Sequence, residues 1–300
     1  MDALTSVLHT LRLRSSVYCR SELGAGWGLH FLPCRCPVFH VLYQGNGLLR
    51  LQEDASIWPL KERDVVLLPG GEEHVLLESS EARPFQNLQL DQWGECALMR
   101  WSERPTAVVL CGTFQFEQYE AASLLRQLPR VVHISRTTAG ALSDVLTLMA
   151  TEAESSRPGK HAVLRRLADT LFLQIVQHWV QARGIAQSGW LGALCDPLIG
   201  KALELIHNHP QTPWTIDALA RAVNCSRSAF AARFTATVGE PPMRYVQRWR
   251  ISLSARLLSE QPGATIGEIA SYVGYASESS FCKAFKREMG ITPNAYRMQP

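Results

Sequence analysis

The chain has 300 residues, 46% of them apolar and 19% charged, and a net charge of +3 from 30 basic and 27 acidic side chains. That composition is globular, neither disordered nor fibrous, and the length suits two domains better than one. No apolar run approaches the ~18–20 residues of a membrane span, and the start Met1-Asp2-Ala3-Leu4 lacks the basic and apolar stretches of a secretory leader, so a cytoplasmic protein with no membrane partner is expected.

The charge is unevenly spread. Residues 197–300 hold 12 Lys/Arg against 7 Asp/Glu, net +5, while the remainder holds 18 against 20, net −2. A basic C-terminal third suggests a polyanionic partner. The eight cysteines, at 19, 34, 36, 96, 111, 195, 225 and 282, include no Cys-x-x-Cys pair, which argues against a structural zinc finger. A reducing cytoplasm would keep them as thiols unless they work.

Residues 30–116 read as β structure. Short apolar runs at 39–43, 47–51, 65–68 and 74–77 are separated by the turn signals 44–47, 53–54, 61–64 and 69–71. Strands spaced by about ten residues indicate a sandwich or barrel. Residues 81–105, polar and broken by Pro84, Gly94 and Pro105, read as a long excursion before a strand resumes at Val108. After residue 137 the period becomes helical. Two helices are predicted, over 138–155 and 160–183. The second carries Leu164, Leu167, Ala168, Leu171, Phe172, Ile175, Val176 and Trp179 on one wide stripe. That stripe can cover a sheet, serve a partner helix, or do both.

The C-terminal third contains an internal repeat. Thr215-Ile216, Leu219-Ala220, Val223, Phe230, Phe234, Gly239, Pro242 and Tyr245 recur as Thr265-Ile266, Ile269-Ala270, Val273, Phe281, Phe285, Gly290, Pro293 and Tyr296. The offset is 50 before the middle turn and 51 after it, so one residue has been inserted there. Each copy reads helix, turn, helix, with Thr215 and Thr265 capping the first helix and Ser226 and Ser277 the second. Gly239 and Gly290 end the second helices. A helix-turn-helix places its second helix in the major groove of DNA. Between the copies, residues 241–259 read as one helix, and the seventeen residues after its two starting prolines span ~25 Å. A spacer of that length could hold two reading helices about one DNA turn (~34 Å) apart. Two ordinary helical hairpins are the bland alternative.

The stretch Gly274-Tyr275-Ala276-Ser277-Glu278-Ser279-Ser280-Phe281-Cys282-Lys283-Ala284-Phe285-Lys286-Arg287, followed by Gly290-Ile291-Thr292-Pro293, resembles the signature of AraC/XylS-type transcription regulators over residues 197–300. The resemblance implies promoter DNA and RNA polymerase as partners. It also implies base-facing positions at Ser228, Ala231 and Ala232, flanked by Arg227 and Arg233, and at Glu278, Ser279, Cys282 and Lys283. Ala232 departs from the pattern, since members often carry Arg there; alanines can still meet a thymine methyl. Glu278 could accept from a cytosine amino group or cap its own helix.

Leu60 to His74 resembles the second half-motif of cupins, small β-barrels. His74 fits that motif, and only His40 stands at a sensible place for the first, with no His-x-His. A catalytic metal centre is therefore not expected. His40 and His74 could bind zinc with thiolate help, or simply line a barrel mouth. The layout is similar to the cupin-headed subgroup that activates genes in response to reactive chlorine species. The matching residues are Met1-Asp2-Ala3-Leu4, Cys19 before Leu23-Gly24 and Trp27, Leu67-Leu68-Pro69 before His74, and Cys111-Gly112-Thr113. Cysteine oxidation is the signal in that subgroup, and by position Cys19 and Cys111 are the redox candidates. Arg20 and Arg14 beside Cys19 would favour a thiolate.

The expectation is thus an α+β two-domain chain. A cupin-like β-barrel with dimerisation helices (1–184) is joined by a linker (185–196) to an all-α double helix-turn-helix domain (197–300). Its function would be that of a homodimeric, DNA-binding activator that senses oxidants. A regulator with a small-molecule site in the barrel cavity is the alternative, and a cupin metalloenzyme with a DNA-binding tail is a more distant one.

Overall fold

A computed structural model describes residues 13–54, 56–88, 97–116, 125, 128–136, 140, 142–183, 192–193 and 196–298, except for the side chains of residues 13–19, 97, 98 and 183. The described chain divides into two compact units, residues 12–182 and residues 183–300.

In the first unit the strands β1 (Leu13–Leu23), β3 (Val38–Gln44), β6 (Asp64–Leu68), β9 (Ala97–Arg100), β10 (Ala107–Phe116) and β11 (Val132–Ile134) form a six-stranded sheet in the order β11-β6-β3-β10-β1-β9. The strands β2 (Gly28–Phe31), β4 (Gly47–Leu51), β5 (Ile57–Leu60), β7 (His74–Leu77) and β8 (Gln86–Leu88) form a second sheet in the order β5-β4-β7-β2-β8. Leu23, Trp27, Leu29, Phe31, Leu49, Val66, Leu76, Val109 and Cys111 belong to the apolar core of this unit. The expected cupin-like β-barrel is corrected to two separate sheets: no ladder among the described residues joins them. Among the described residues β8 and β9, three and four residues long, pair only with β2 and β1, in parallel, and stand at the edges of their sheets.

The excursion expected at 81–105 therefore contains two short strands. Strand β5 carries Pro59, which a sheet edge tolerates because no ladder donor is needed there. Two helices follow, α1 (Leu142–Glu154) and α2 (Lys160–Arg183). The predicted stripe of α2 is buried at Leu164, Ala168, Leu171, Phe172, Ile175, Val176 and Trp179. Phe172 sets its ring 5.0 Å from that of Phe114 and 5.2 Å from that of Phe116, so α2 covers strand β10.

The second unit is helical: α3 (Pro197–Asn208), α4 (Ile216–Ala222), α5 (Arg227–Val238), α6 (Pro242–Glu260), α7 (Ile266–Tyr272), α8 (Glu278–Met289) and α9 (Pro293–Arg297). Of the expected linker, only residues 192, 193 and 196 lie among the described ones. No described helix is long and apolar enough to cross a membrane.

Candidate nucleic-acid interface and sensor residues

Both copies of the repeat are built alike. The Thr215 hydroxyl accepts from Ala218 N at 3.1 Å, and that of Thr265 accepts from Glu268 N at 3.1 Å. In the second copy Glu268 returns the bond to the Thr265 N–H and closes a capping box. Ser226 accepts from Ala229 N, and Ser277 from Ser280 N. Phe230, Phe234, Phe281 and Phe285 are fully buried and fix which face of α5 and α8 turns inward. The opposite faces are open. Arg227, Ser228, Ala232, Arg233, Glu278, Ser279 and Lys283 are exposed, and Ala231 and Cys282 are half-buried beside them.

The turns hold residues with positive φ at equivalent positions, Asn224 at 54° and Gly274 at 87°. At Gly274 there is also no room, since a Cβ would stand 2.7 Å from the Pro210 carbonyl oxygen and 2.8 Å from Arg250 Nη2. Arg250, on α6, donates from Nε to the Pro210 carbonyl at 2.8 Å and from Nη2 to the Thr212 carbonyl at 2.7 Å. One guanidinium thus ties the connecting helix to the approach of the first repeat while lying against the turn of the second. Sequence reading did not single out Arg250, because its partners stand some forty residues away. Helix α6 has 19 residues, about 28 Å at ~1.5 Å each, and lies one position C-terminal of the expected range.

The cations differ in how they are held. Arg227 Nη1 pairs with Asp217 at 3.2 Å, both side chains exposed. Arg233 pairs with Asp196. Lys283 has no ion pair among the described residues. Glu278 opens α8, where a carboxylate meets the positive end of the helix. Burial, and then the Glu278 charge, pushes the Cys282 thiol above its ordinary pKa, which disfavours the thiolate that oxidants attack.

In the β unit, His40 (β3) and His74 (β7) come from different sheets and are both 1% exposed. Their Nε2 atoms are 2.7 Å apart, and His74 Nδ1 donates to the Glu72 carbonyl at 2.6 Å. Neutral His74 therefore accepts at Nε2 from His40 Nε2–H, which leaves His40 Nδ1 buried with no hydrogen-bond partner. Burial holds both rings neutral, lowering His74 to about 4 and His40, which also feels His74, well below its ordinary value. Zinc is one of two readings of this pair, and here the two rings are hydrogen-bonded to one another instead. Two nitrogens on a tetrahedral zinc lie about 3.3 Å apart, and the described residues contain no cluster of three metal-ligating side chains.

Cys111 is buried in β10, its Cα opposite that of Cys19 in β1 on one side and that of His40 in β3 on the other. The β1–β10 register shifts between Val17 and Cys19. The side chain of Cys19, and Cys96 and Cys195 altogether, lie outside the described residues. The Arg20 guanidinium is engaged by Glu22 and, at 2.8 Å, by Glu154, so its charge is offset. A surface cavity of about 730 Å³ opens there, lined by Arg20, Glu22, Arg100, Glu154, Arg157 and Lys160 among others.

Comparison with known proteins places this architecture. The cupin family matches residues 2–181 and the helix-turn-helix domain family residues 219–299. A Streptomyces antibioticus protein described as an AraC-like transcription regulator is 34% identical over 302 residues, covering 100% of this chain and 99% of its own. The RCS-specific HTH-type transcriptional activator RclR of Escherichia coli is 28% identical over 303 residues, covering 99% and 97%. Among solved structures, the C-terminal domain of AraT, a response regulator from Geobacillus stearothermophilus, is 30% identical, with a TM-score of 0.33, covering 34% of this chain and 84% of that one. The chain belongs to the AraC-like transcription regulators, with a cupin region in its N-terminal part and a DNA-binding helix-turn-helix region in its C-terminal part.

Proposed function

We propose that this regulator is a cytoplasmic homodimer that binds promoter DNA sequence-specifically and activates transcription with RNA polymerase when reactive chlorine species oxidise Cys19 and Cys111. In this reading Arg227, Ser228, Ala231, Ala232 and Arg233 of α5, and Glu278, Ser279, Cys282 and Lys283 of α8, face the DNA. The single observation that carries the sensor half is the register of β1 on β10, which sets the Cα atoms of Cys19 and Cys111 opposite one another. The exposed outer faces of α5 and α8 support the DNA half. The sulfur of one thiol displaces chloride from a sulfenyl chloride formed at the other, releasing chloride and a proton, and the resulting disulfide joins the strands until it is reduced. Such a bridge acts on DNA binding only through the free-energy difference it makes between two conformations.

A small-molecule reading has one observation in its favour, the cation-rich cavity at Arg20, Arg100, Arg157 and Lys160. The space between the sheets offers a ligand less, being filled by Trp27, Leu29, Phe31 and their neighbours. The decisive experiment is Cys19→Ser. It should keep operator binding and lose hypochlorite-dependent transcription; an undiminished response would overturn the thiol reading at that site.

A further inference from the structure

The loop between β2 and β3 contains a second thiol pair. The chain bends at Arg35 and Cys36 and returns the Cys34 sulfur to 3.5 Å from the Cys36 sulfur, in thiol–thiol contact. The Cys34 thiol also donates to the Cys36 carbonyl at 3.1 Å. Cys34 is 9% exposed and Cys36 half-buried, so an incoming oxidant meets Cys36 first.

The loop is clamped from the other side by the turn after β6. Cys34 N–H donates to the Gly71 carbonyl at 3.0 Å. Gly71 has φ +64°, and a Cβ there would fall on the carbonyl oxygens of both cysteines and 3.0 Å from the Cys34 sulfur. The next residue, Glu72, supplies the carbonyl that holds His74.

We propose that Cys34 and Cys36 form a redox-active dithiol, closed to a disulfide by hypochlorous acid, and that the Gly71 turn carries the closure to the His74–His40 pair. The Cys36 thiolate attacks the chlorine of HOCl, giving a sulfenyl chloride and hydroxide. The Cys34 sulfur then attacks the Cys36 sulfur, expelling chloride and releasing its proton. Overall, two thiols and one HOCl give one disulfide, one chloride, one proton and one water. The sulfurs must close from 3.5 Å to about 2.05 Å. Because the Gly71 turn lies against both cysteines, that movement displaces it. A bridge across a single intervening residue is strained, which makes it easily reduced and suits a reversible signal rather than a structural staple.

The inference takes its oxidant from the function proposed above but does not depend on Cys19. In the test, full-length protein is treated with equimolar hypochlorous acid, remaining thiols are alkylated with iodoacetamide in denaturant, and chymotryptic peptides are weighed. The expected product is a peptide carrying residues 34–36, unalkylated and two hydrogens lighter, restored by dithiothreitol. Alkylation of both cysteines, or linkage of either to another cysteine, would overturn the proposal. Cys19→Ser should form the same bridge. If wild type forms none while Cys19→Ser loses its transcriptional response, this inference fails and the Cys19 reading stands. Nitrogen–proton correlation spectra of the imidazoles test the relay. The His74 signals should shift on oxidation in wild type and not in Cys36→Ser; unmoved wild-type signals would remove the relay.

Discussion

Asp196 and Arg233 share one carboxylate that serves two helices. Asp196 Oδ1 accepts from Leu198 N at 2.9 Å and Ile199 N at 3.0 Å, capping α3, while its Oδ2 holds Arg233 Nε and Nη2 of α5, each at 2.8 Å. Burial opposes the charge, but the Ile199 N–H, the Arg233 guanidinium and the Leu198 N–H together keep the carboxyl below its usual range. A cation assigned to DNA thus has an internal competitor at the entrance to its own unit. Asp196→Asn keeps an N-cap oxygen and removes the charge. Affinity for DNA should rise, and the slope of log K against log salt should steepen by about 0.9 if Arg233 then takes a phosphate. An unchanged slope, read by fluorescence anisotropy across salt concentrations, would place Arg233 off the DNA.

Lys283, exposed and without an ion pair among the described residues, needs no partner released. Lys283→Ala should weaken operator binding more than Arg227→Ala, whose guanidinium gives up Asp217 on binding. If Lys283 reads a base, the loss is about 1–3 kcal/mol and specificity relaxes at one position; if it meets phosphate, the salt slope falls by about 0.9. Equal affinities for both variants and wild type would remove the assigned faces.

Gly274→Ala and Asn224→Ala separate strain from crowding at equivalent turn positions. Both impose φ > 0 on alanine, at a cost of about 1 kcal/mol or more. At Gly274 the new methyl also strikes the Pro210 carbonyl and the Arg250 guanidinium, so a loss of about 2–4 kcal/mol is expected. Urea midpoints of the helical unit should rank Asn224→Ala well above Gly274→Ala. Equal midpoints would mean that Arg250 yields freely and does not tie the repeats together.

Acid should loosen the β unit. The folded pKa of His74 is about 4 and that of His40 is also lowered, against 6.5 for an unfolded imidazole. Below about pH 6.5 the unfolded state therefore binds protons that the folded state refuses, and stability falls as pH falls, His74 ceasing to add to the loss near pH 4. Between pH 7 and pH 5 His74 alone accounts for about 2 kcal/mol. Hydrogen-exchange protection of β3 and β7 amides in the full chain should drop over that interval; flat protection factors would contradict the buried neutral pair.

The helical unit was largely legible in the sequence because its signals are local. Thr215, Thr265, Ser226 and Ser277 cap as their positions indicate, Gly239 and Gly290 take the left-handed φ, and the spaced phenylalanines are inside. What escaped were relations across the chain, such as Arg250 to Pro210 and Asp196 to Arg233, which no periodicity encodes. In the β unit the central strands announced themselves by apolar runs. Strand β1, reading Leu-Arg-Ser-Ser-Val-Tyr-Cys-Arg-Ser-Glu-Leu, and the brief edges β8, β9 and β11 carry too little apolar pattern to be read. His40 and His74 were singled out as residues, but their meeting depends on how two sheets face each other.

That meeting has a consequence for assembly of the fold. Aliphatic side chains between two sheets tolerate more than one alignment, because one methyl group substitutes for another. A directional bond between imidazoles does not. Sliding β3 by one residue would send His40 to the opposite face and leave the buried His74 Nε2 lone pair without its donor. The two rings act as a registration key, selecting one superposition of the sheets from several that greasy packing alone would accept.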